Sequence, residues 1–62
     1  MTYHVKVNGR TVYSDRDGEN CATWAESRFI NDHRIQNIKV VGDNGFPFHD
    51  AKGRAYIWER RV

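Results

Sequence analysis

The sequence has very little cysteine: Cys21 is the only one among 62 residues. A lone cysteine excludes an internal disulfide and a Cys-x-x-Cys zinc or redox pair. Because small secreted domains usually depend on disulfides, this absence favours a reducing, cytoplasmic location. Cys21 also falls on the apolar side of a helix predicted from about Gly18 to about Asp32. This position indicates a small buried side chain and not a nucleophile.

Long hydrophobic runs are also missing. No stretch approaches the roughly 20 apolar residues that span a bilayer, and the first ten residues, MTYHVKVNGR, lack the apolar segment of a signal peptide. We therefore expect a soluble protein that is not secreted by that route and has no membrane partner. The initiating Met1, followed at once by a strand pattern, suggests a complete small protein.

Glycine and histidine are present, but without the spacings that carry chemistry. The five glycines form no Gly-x-Gly-x-x-Gly or phosphate-loop motif. The histidines His4, His33 and His49 lie in three different predicted elements, and none has a ligand spacing such as His-x-x-x-His. A chain this short also has little room for a cleft that encloses a substrate. The sequence thus predicts no metal, no cofactor and no enzyme.

The net charge is only +2, and the positive excess is localised. Residues 1–53 carry seven basic and seven acidic side chains, whereas residues 54–62 carry three arginines and one glutamate. A net charge of this size is weak evidence for a nucleic-acid partner. The orientation of the closing stretch, RAYIWERRV, therefore matters more than the total charge.

The segment YHVKVNGRTVYS predicts a β-hairpin. Asn8 and Gly9 form the pair that best accepts the positive φ angles of a type I′ turn. A two-residue turn sets Val5 opposite Val12, so both lie on one face of the hairpin. The other face then carries the polar and aromatic positions, which are His4, Lys6, Thr11 and Tyr13.

A helix is predicted from about Gly18 to about Asp32, capped by Asp15 or Asp17. At 100° per residue its apolar side consists of Cys21, Ala22, Ala25 and Phe29. Most of these side chains are small, which predicts that the helix lies close against a sheet.

Two further strands complete the predicted fold. The segment RIQNIKVVGD indicates one, residues 54–61 indicate another, and residues 46–49 form a loop or a short extra edge strand because Pro47 cannot donate to a ladder. The prediction is a single α+β domain, 1–62, with four or five antiparallel strands and one helix on one face. The chain order is β-β-α-β-β.

The sequence leaves two orientations open for the last strand. If Ile57 faces the helix, alternation sends Tyr56 and Trp58 to the open face of the sheet, and this is the arrangement we expect. The opposite register would draw Arg54 and Arg60 inward, and a buried unpaired charge is costly. That register would, however, add large side chains to a thin core.

Aromatic and arginine side chains dominate the candidate binding residues, as they do at protein–protein hot spots. The FPF segment adds two phenylalanines around a rigid proline, although either one could instead fold back to close the core. The predicted partner-binding residues are Trp24, Arg28, Phe46, Phe48, Arg54, Tyr56, Trp58 and Arg60.

Nucleic-acid binding is the alternative, with bases stacked on aromatic rings of the open sheet face and cations on phosphates. The glycine–aromatic signature of RNA-recognition motifs is absent, and those motifs have two helices. The residues in question are His4, Lys6, Tyr13, Lys39, Arg54, Tyr56, Trp58, Arg60 and Arg61. An exposed edge strand would also permit self-association, so both a monomer and a homodimer are open.

In layout, one helix on a small antiparallel sheet in a chain of this length resembles the accessory proteins that bacteriophages encode to modulate host machines. Polymerase inhibitors and anti-CRISPR proteins belong to that group. The resemblance implies a stoichiometric protein binder, and the balanced charge disfavours a DNA mimic. The leading hypothesis is a non-enzymatic protein-binding module that inhibits or modulates a larger machine.

Overall fold

The computed structural model describes residues 1–61 and places one helix against one sheet. Helix α1 spans Gly18–Asn31, and the strands are β1 (Tyr3–Val7), β2 (Arg10–Asp15), β3 (Asn37–Gly42) and β4 (Ile57–Glu59). Neighbouring strands are antiparallel, and their order across the sheet is β2-β1-β3-β4. The predicted α+β fold is confirmed. No helix within these residues is long and apolar enough to cross a membrane.

The hairpin between β1 and β2 turns at the predicted pair. Asn8 and Gly9 both have positive φ, at 51° and 85°, as a type I′ turn requires. Val7 therefore pairs with Arg10 beside the turn. The Asn8 side chain also accepts backbone N–H groups at the start of β3, at 3.2 Å from Asn37 N, which fastens the turn to the neighbouring strand.

One extra residue in β2 changes the register of the hairpin. Lys6 pairs with Thr11, but Val5 then pairs with Tyr13, so a β-bulge leaves Val12 without a partner position and 46% exposed. The predicted pairing of Val5 with Val12 was wrong. Its consequence was wrong as well, because the bulge turns Tyr13 toward α1 and away from the open face.

Helix α1 forms where it was predicted, and local capping explains its ends. The Asp17 side chain accepts the backbone N–H of Glu19 at the N-terminus, and the Asp32 N–H donates to the Arg28 carbonyl at the C-terminus. The small side chains of α1 face the sheet. The buried positions are Gly18, Cys21, Ala22 and Ala25.

The last strand is shorter than predicted and has the opposite orientation. Trp58 pairs with Ile38, which is fully buried beneath α1, so Trp58 lies on the helix side. Tyr56 also packs against the core, while Ile57 is 44% exposed on the open face. The expectation that Tyr56 and Trp58 point outward was wrong. The largest fully buried side chains elsewhere are only valine and isoleucine, so the core needs these rings.

Residues 46–48 run beside the part of β3 that β4 does not cover. The Phe48 N–H donates to the Val40 carbonyl at 2.9 Å, and Pro47 forms an isolated bridge with Val41. A second bridge joins His49 to Ala55. The suggested fifth strand is therefore reduced to single bridges, in keeping with the missing donor of Pro47.

Candidate functional site

Three side chains form a stack between α1 and the edge strand β2. The rings of Tyr13 and Trp24 lie nearly parallel, with centroids 4.9 Å apart and an interplanar angle of 9°. The guanidinium carbon of Arg28, one helical turn along α1, lies 5.3 Å from the centroid of the Trp24 ring. We call this arrangement the Tyr13–Trp24–Arg28 stack.

The stack borders an open groove of about 460 Å³ whose other walls are polar side chains of α1. Arg28 is exposed and takes part in none of the ion pairs formed among residues 1–61. The Tyr13 hydroxyl donates to Asp15 at 3.3 Å, and desolvation followed by the Asp15 charge raises the pKa of Tyr13. The phenol therefore stays protonated and remains a donor. The helix walls of the groove are Asn20, Thr23 and Ser27.

A second group of aromatic rings lies at the other end of the sheet and serves the core. The rings of Phe48 and Tyr56 are stacked at 5.4 Å, and Tyr56 lies 5.8 Å from Trp58. The outer edges of Tyr56 and Trp58 reach a groove of about 360 Å³ that Glu26 and Arg54 also line. Tyr56 and Trp58 are thus core side chains with one edge open to solvent.

Arg54 and Arg60, both predicted partner residues, are engaged in different contacts. Arg54 pairs with Asp50 at 3.3 Å and is 76% exposed. The pKa of Asp50 is lowered, chiefly because its carboxylate accepts the Arg54 backbone N–H. Arg60 lies over the Phe29 ring, 4.1 Å from the centroid, and donates to backbone carbonyls at the end of α1. The Arg60 guanidinium is therefore engaged in intramolecular contacts and is not free to bind a partner.

The two phenylalanines of the FPF segment have separate roles. Phe48 packs against the core and meets Tyr3 edge to face at 4.8 Å. Phe46 is 71% exposed and lines a shallow pocket with Met1 and Pro47. Of the two, Phe46 alone has the exposure that a contact residue requires.

The open face of the sheet carries basic and polar side chains beside an exposed isoleucine. Lys6 and Lys39 occupy directly opposed positions on β1 and β3, and Ile57 pairs with Lys39 on the next strand. Among residues 1–61, no strand position on this face carries a phenylalanine, tyrosine or tryptophan, since the strand aromatics all pack on the helix side. The residues grouped as a nucleic-acid platform are thereby divided between two faces, while Arg61 is exposed beyond β4.

His4 lies at the centre of a hydrogen-bonded triad on the same open face. Its Nδ1 is 2.7 Å from Ser14 Oγ on β2, and its Nε2 is 2.6 Å from Asp43 Oδ1 in the turn after β3. The other Asp43 oxygen accepts the Thr2 N–H at 3.0 Å. The His4 hydrogen bond, followed by the Thr2 hydrogen bond, lowers the pKa of Asp43. Asp43 therefore stays ionised and holds the proton on Nε2.

No protein-family model, curated protein or solved structure matches the chain. Within residues 1–61, no cluster of three or more His, Cys, Asp or Glu side chains could hold a metal ion.

Sequence reasoning missed the triad because its members are distant in the chain. Ser14 comes opposite His4 only after the bulge has shifted the hairpin register. Asp43 reaches His4 because β1 pairs with β3, which sets His4 opposite Val41, two residues before Asp43. A correct pairing of β1 with β3 would have been the signal, since an antiparallel register brings distant side chains together.

Proposed function

We propose that the chain is a protein-binding module that contacts its partner through the Tyr13–Trp24–Arg28 stack. The observation that carries the proposal is that a tyrosine, a tryptophan and an arginine contact one another beside an open groove. These are the residue types in which binding energy concentrates at protein interfaces. Among the predicted partner residues, Trp24 and Arg28 keep this role, and Tyr13 joins them.

The side chains of the stack already contact one another without a partner. Because Trp24 already lies against Tyr13, binding would freeze few additional rotamers, and less conformational entropy would be lost. Arg28 adds a charge with no carboxylate partner among the ion pairs of residues 1–61. We therefore expect the partner to present an apolar or aromatic group to the rings and a carboxylate to Arg28.

The edge of β2 favours docking by side chains over docking by strand addition. A bulge interrupts the regular row of backbone groups at Val12, and bulges of this kind protect sheet edges from pairing. The same argument weakens self-association through β2. A partner would accordingly rest on the groove between α1 and β2 and not extend the sheet.

Size supports a stoichiometric modulator of a larger assembly. The accessible surface is 4555 Å², and a standard interface would cover about 800 Å² of it. A single partner would thus occupy roughly a sixth of the molecule. We expect such a partner in the cytoplasm, where a chain with one cysteine needs no disulfide.

The proposal is tested by site-specific photo-crosslinking from two positions. A crosslinking amino acid replaces Ser27, in the groove, or Ile57, on the open face, and both proteins are offered the same cell extract. We expect one protein adduct from position 27, absent from position 57, and its loss when Trp24→Ala is added. Circular dichroism establishes that each variant is folded.

Crosslinking from position 57 alone would refute the groove as the binding site. Nucleic-acid adducts, with binding that falls steeply as salt is raised, would favour the alternative function in its place. Arg28→Lys is the informative milder variant, because it keeps the charge but loses the planar group stacked on Trp24.

A further inference from the structure

The open face, opposite the proposed binding groove, carries the elements of a nucleophilic site. Ser14, His4 and Asp43 form a continuous chain of hydrogen bonds of 2.7 Å and 2.6 Å. Such a constellation is defined by geometry and by the role of each member, not by sequence order. A hydroxyl within hydrogen-bond reach of an imidazole, itself oriented by a third group, is the arrangement that activates a serine.

The proton positions follow from the hydrogen-bond partners. Asp43 is ionised and can only accept, so Nε2 of a neutral His4 carries the proton. Nδ1 then has a free lone pair, and the Ser14 hydroxyl donates to it. Compared with the Ser-His-Asp triads of proteases, the two ring nitrogens have exchanged partners. The order of groups along the hydrogen-bond chain is the same: hydroxyl donor, imidazole base, carboxylate.

We propose that Ser14 is an acylatable nucleophile and that His4 is its general base, acting on small carboxylic esters. Ser14 Oγ bonds to the carbonyl carbon as its proton passes to His4 Nδ1. The bond to the alcohol oxygen then breaks, and that oxygen takes the proton from Nδ1. In the second half of the reaction, a water oxygen bonds to the carbonyl carbon as one of its protons passes to Nδ1. The bond from that carbon to Ser14 Oγ then breaks, Oγ takes the proton from Nδ1, and the carboxylic acid leaves.

The surroundings define the substrate class. The triad borders an open pocket of about 430 Å³, which also contains Lys6 and Thr11. Lys6 brings a positive charge to the same pocket, and a positive charge favours the oxyanion that forms in acyl transfer. The pocket is shallow and open, so it fits a short acyl group and provides little binding for a long one.

Solvent access limits the rate of this site. The His4 side chain is 28% exposed and that of Asp43 is 55% exposed, so water competes for their hydrogen bonds. Asp43 is a positioning residue, since it acts through His4 and does not reach the reacting atoms. The inference is independent of the proposed protein binding, because the two sites lie on opposite faces of the sheet.

The first test labels the wild-type chain with a fluorophosphonate, a reagent that bonds to activated serine oxygen with loss of fluoride. Peptide mass spectrometry then locates the adduct. We expect it on Ser14 and not on Ser27, whose hydroxyl is hydrogen-bonded to no histidine in the described residues. Because this test needs no substitution, a folding defect cannot explain a negative result. An adduct on Ser27 alone, or none on either serine, overturns the proposal.

The second test measures release of nitrophenol from p-nitrophenyl acetate. We expect the wild-type rate to exceed those of Ser14→Ala and His4→Gln roughly tenfold or more, below the about 10²- to 10⁴-fold that a well-enclosed general base contributes. His33→Gln, at an exposed histidine outside the triad, should retain the wild-type rate. Equal rates in all four proteins would overturn the proposal.

The pH profile separates a positioning role of Asp43 from a structural one. The rate is measured over a range of pH for the wild-type chain and for two Asp43 variants. Asp43→Asn should lower the rate at every pH and alter the profile, while Asp43→Glu restores part of the rate. If both variants are folded and both keep the wild-type profile, Asp43 has no part in the chemistry.

Discussion

Arg60 hydrogen-bonds the end of β4 to the C-terminus of α1. Arg60→Met removes these hydrogen bonds but keeps an unbranched apolar side chain. The guanidinium donates to the carbonyl oxygens of Phe29, Asp32 and Ile35, the last at 2.9 Å. These acceptors lie at and just beyond the end of α1, where carbonyl groups lack intrahelical partners and a cation is favourable.

The size of the effect follows from these contacts. Hydrogen bonds from a charged donor each contribute about 1.5–3 kcal/mol when buried, and Arg60 is only half-buried. Its three contacts are also not additive, because solvent can replace some of them. We therefore expect Arg60→Met to lower the free energy of unfolding by about 2 kcal/mol, which corresponds to a fall in Tm of roughly 8–16 °C. A domain of this length has about 3–9 kcal/mol in total.

Urea unfolding monitored by tryptophan fluorescence measures this change directly. Arg61→Met is the matched control, since Arg61 is the same residue type, adjacent and exposed. Its effect should stay within about 0.5 kcal/mol. Arg60→Lys should lie between the two, because an ammonium keeps the charge but cannot span several acceptors. If Arg60→Met unfolds at the same urea concentration as Arg61→Met, the hydrogen bonds of the Arg60 guanidinium do not stabilise the fold.

Three further predictions concern packing and pH. Gly18→Ala should destabilise the fold by about 1–3 kcal/mol despite the better helix propensity of alanine, because a Cβ at Gly18 would clash with the Phe48 ring. Adding Phe48→Leu should recover part of the loss in urea melts. Phe46→Ser should change the free energy of unfolding by less than about 0.5 kcal/mol, whereas Phe48→Ala should lower it by about 3 kcal/mol. Equal effects would contradict the exposed role of Phe46 and the core role of Phe48. The pKa of Asp43 is lower in the folded chain than the unfolded value of about 3.9. The ionised carboxylate therefore stabilises the fold above that pH, and this stability is lost as pH falls through the folded pKa. Asp43→Asn should weaken the fall of the urea midpoint in acid, measured as a function of pH.

The parts of the fold that sequence reasoning predicted are those fixed by local chemistry. The Asn8-Gly9 turn follows from two residues that tolerate positive φ, and α1 follows from a cap at Asp17 and a small apolar side. Neither depends on a distant contact. The α+β layout then follows, because one helix can cover only one face of an antiparallel sheet.

The parts that were missed depend on distant contacts. A single bulged residue, Val12, carried Tyr13 from one face to the other, since side chains alternate with a period of two. The orientation of β4 depends on two opposing free energies, the cost of burying an arginine charge and the stabilisation gained by burying Trp58. The fold avoids that cost, because Arg54 is exposed and the Arg60 guanidinium meets backbone carbonyls. The gain from Trp58 therefore decided the register.

These two corrections together explain where function can reside. Turning the strand aromatics toward α1 left no phenylalanine, tyrosine or tryptophan at the described strand positions of the open face, which carries two lysines, Ile57 and the His4 triad. The same change placed Tyr13 against Trp24 and so completed the stack on the helix side. The proposed binding groove and the proposed nucleophilic site thus lie on opposite faces of one sheet. Trp24→Ala should accordingly abolish partner binding and leave the Ser14 adduct intact, and Ser14→Ala should do the reverse; loss of both properties in either variant would show that the two faces are not independent.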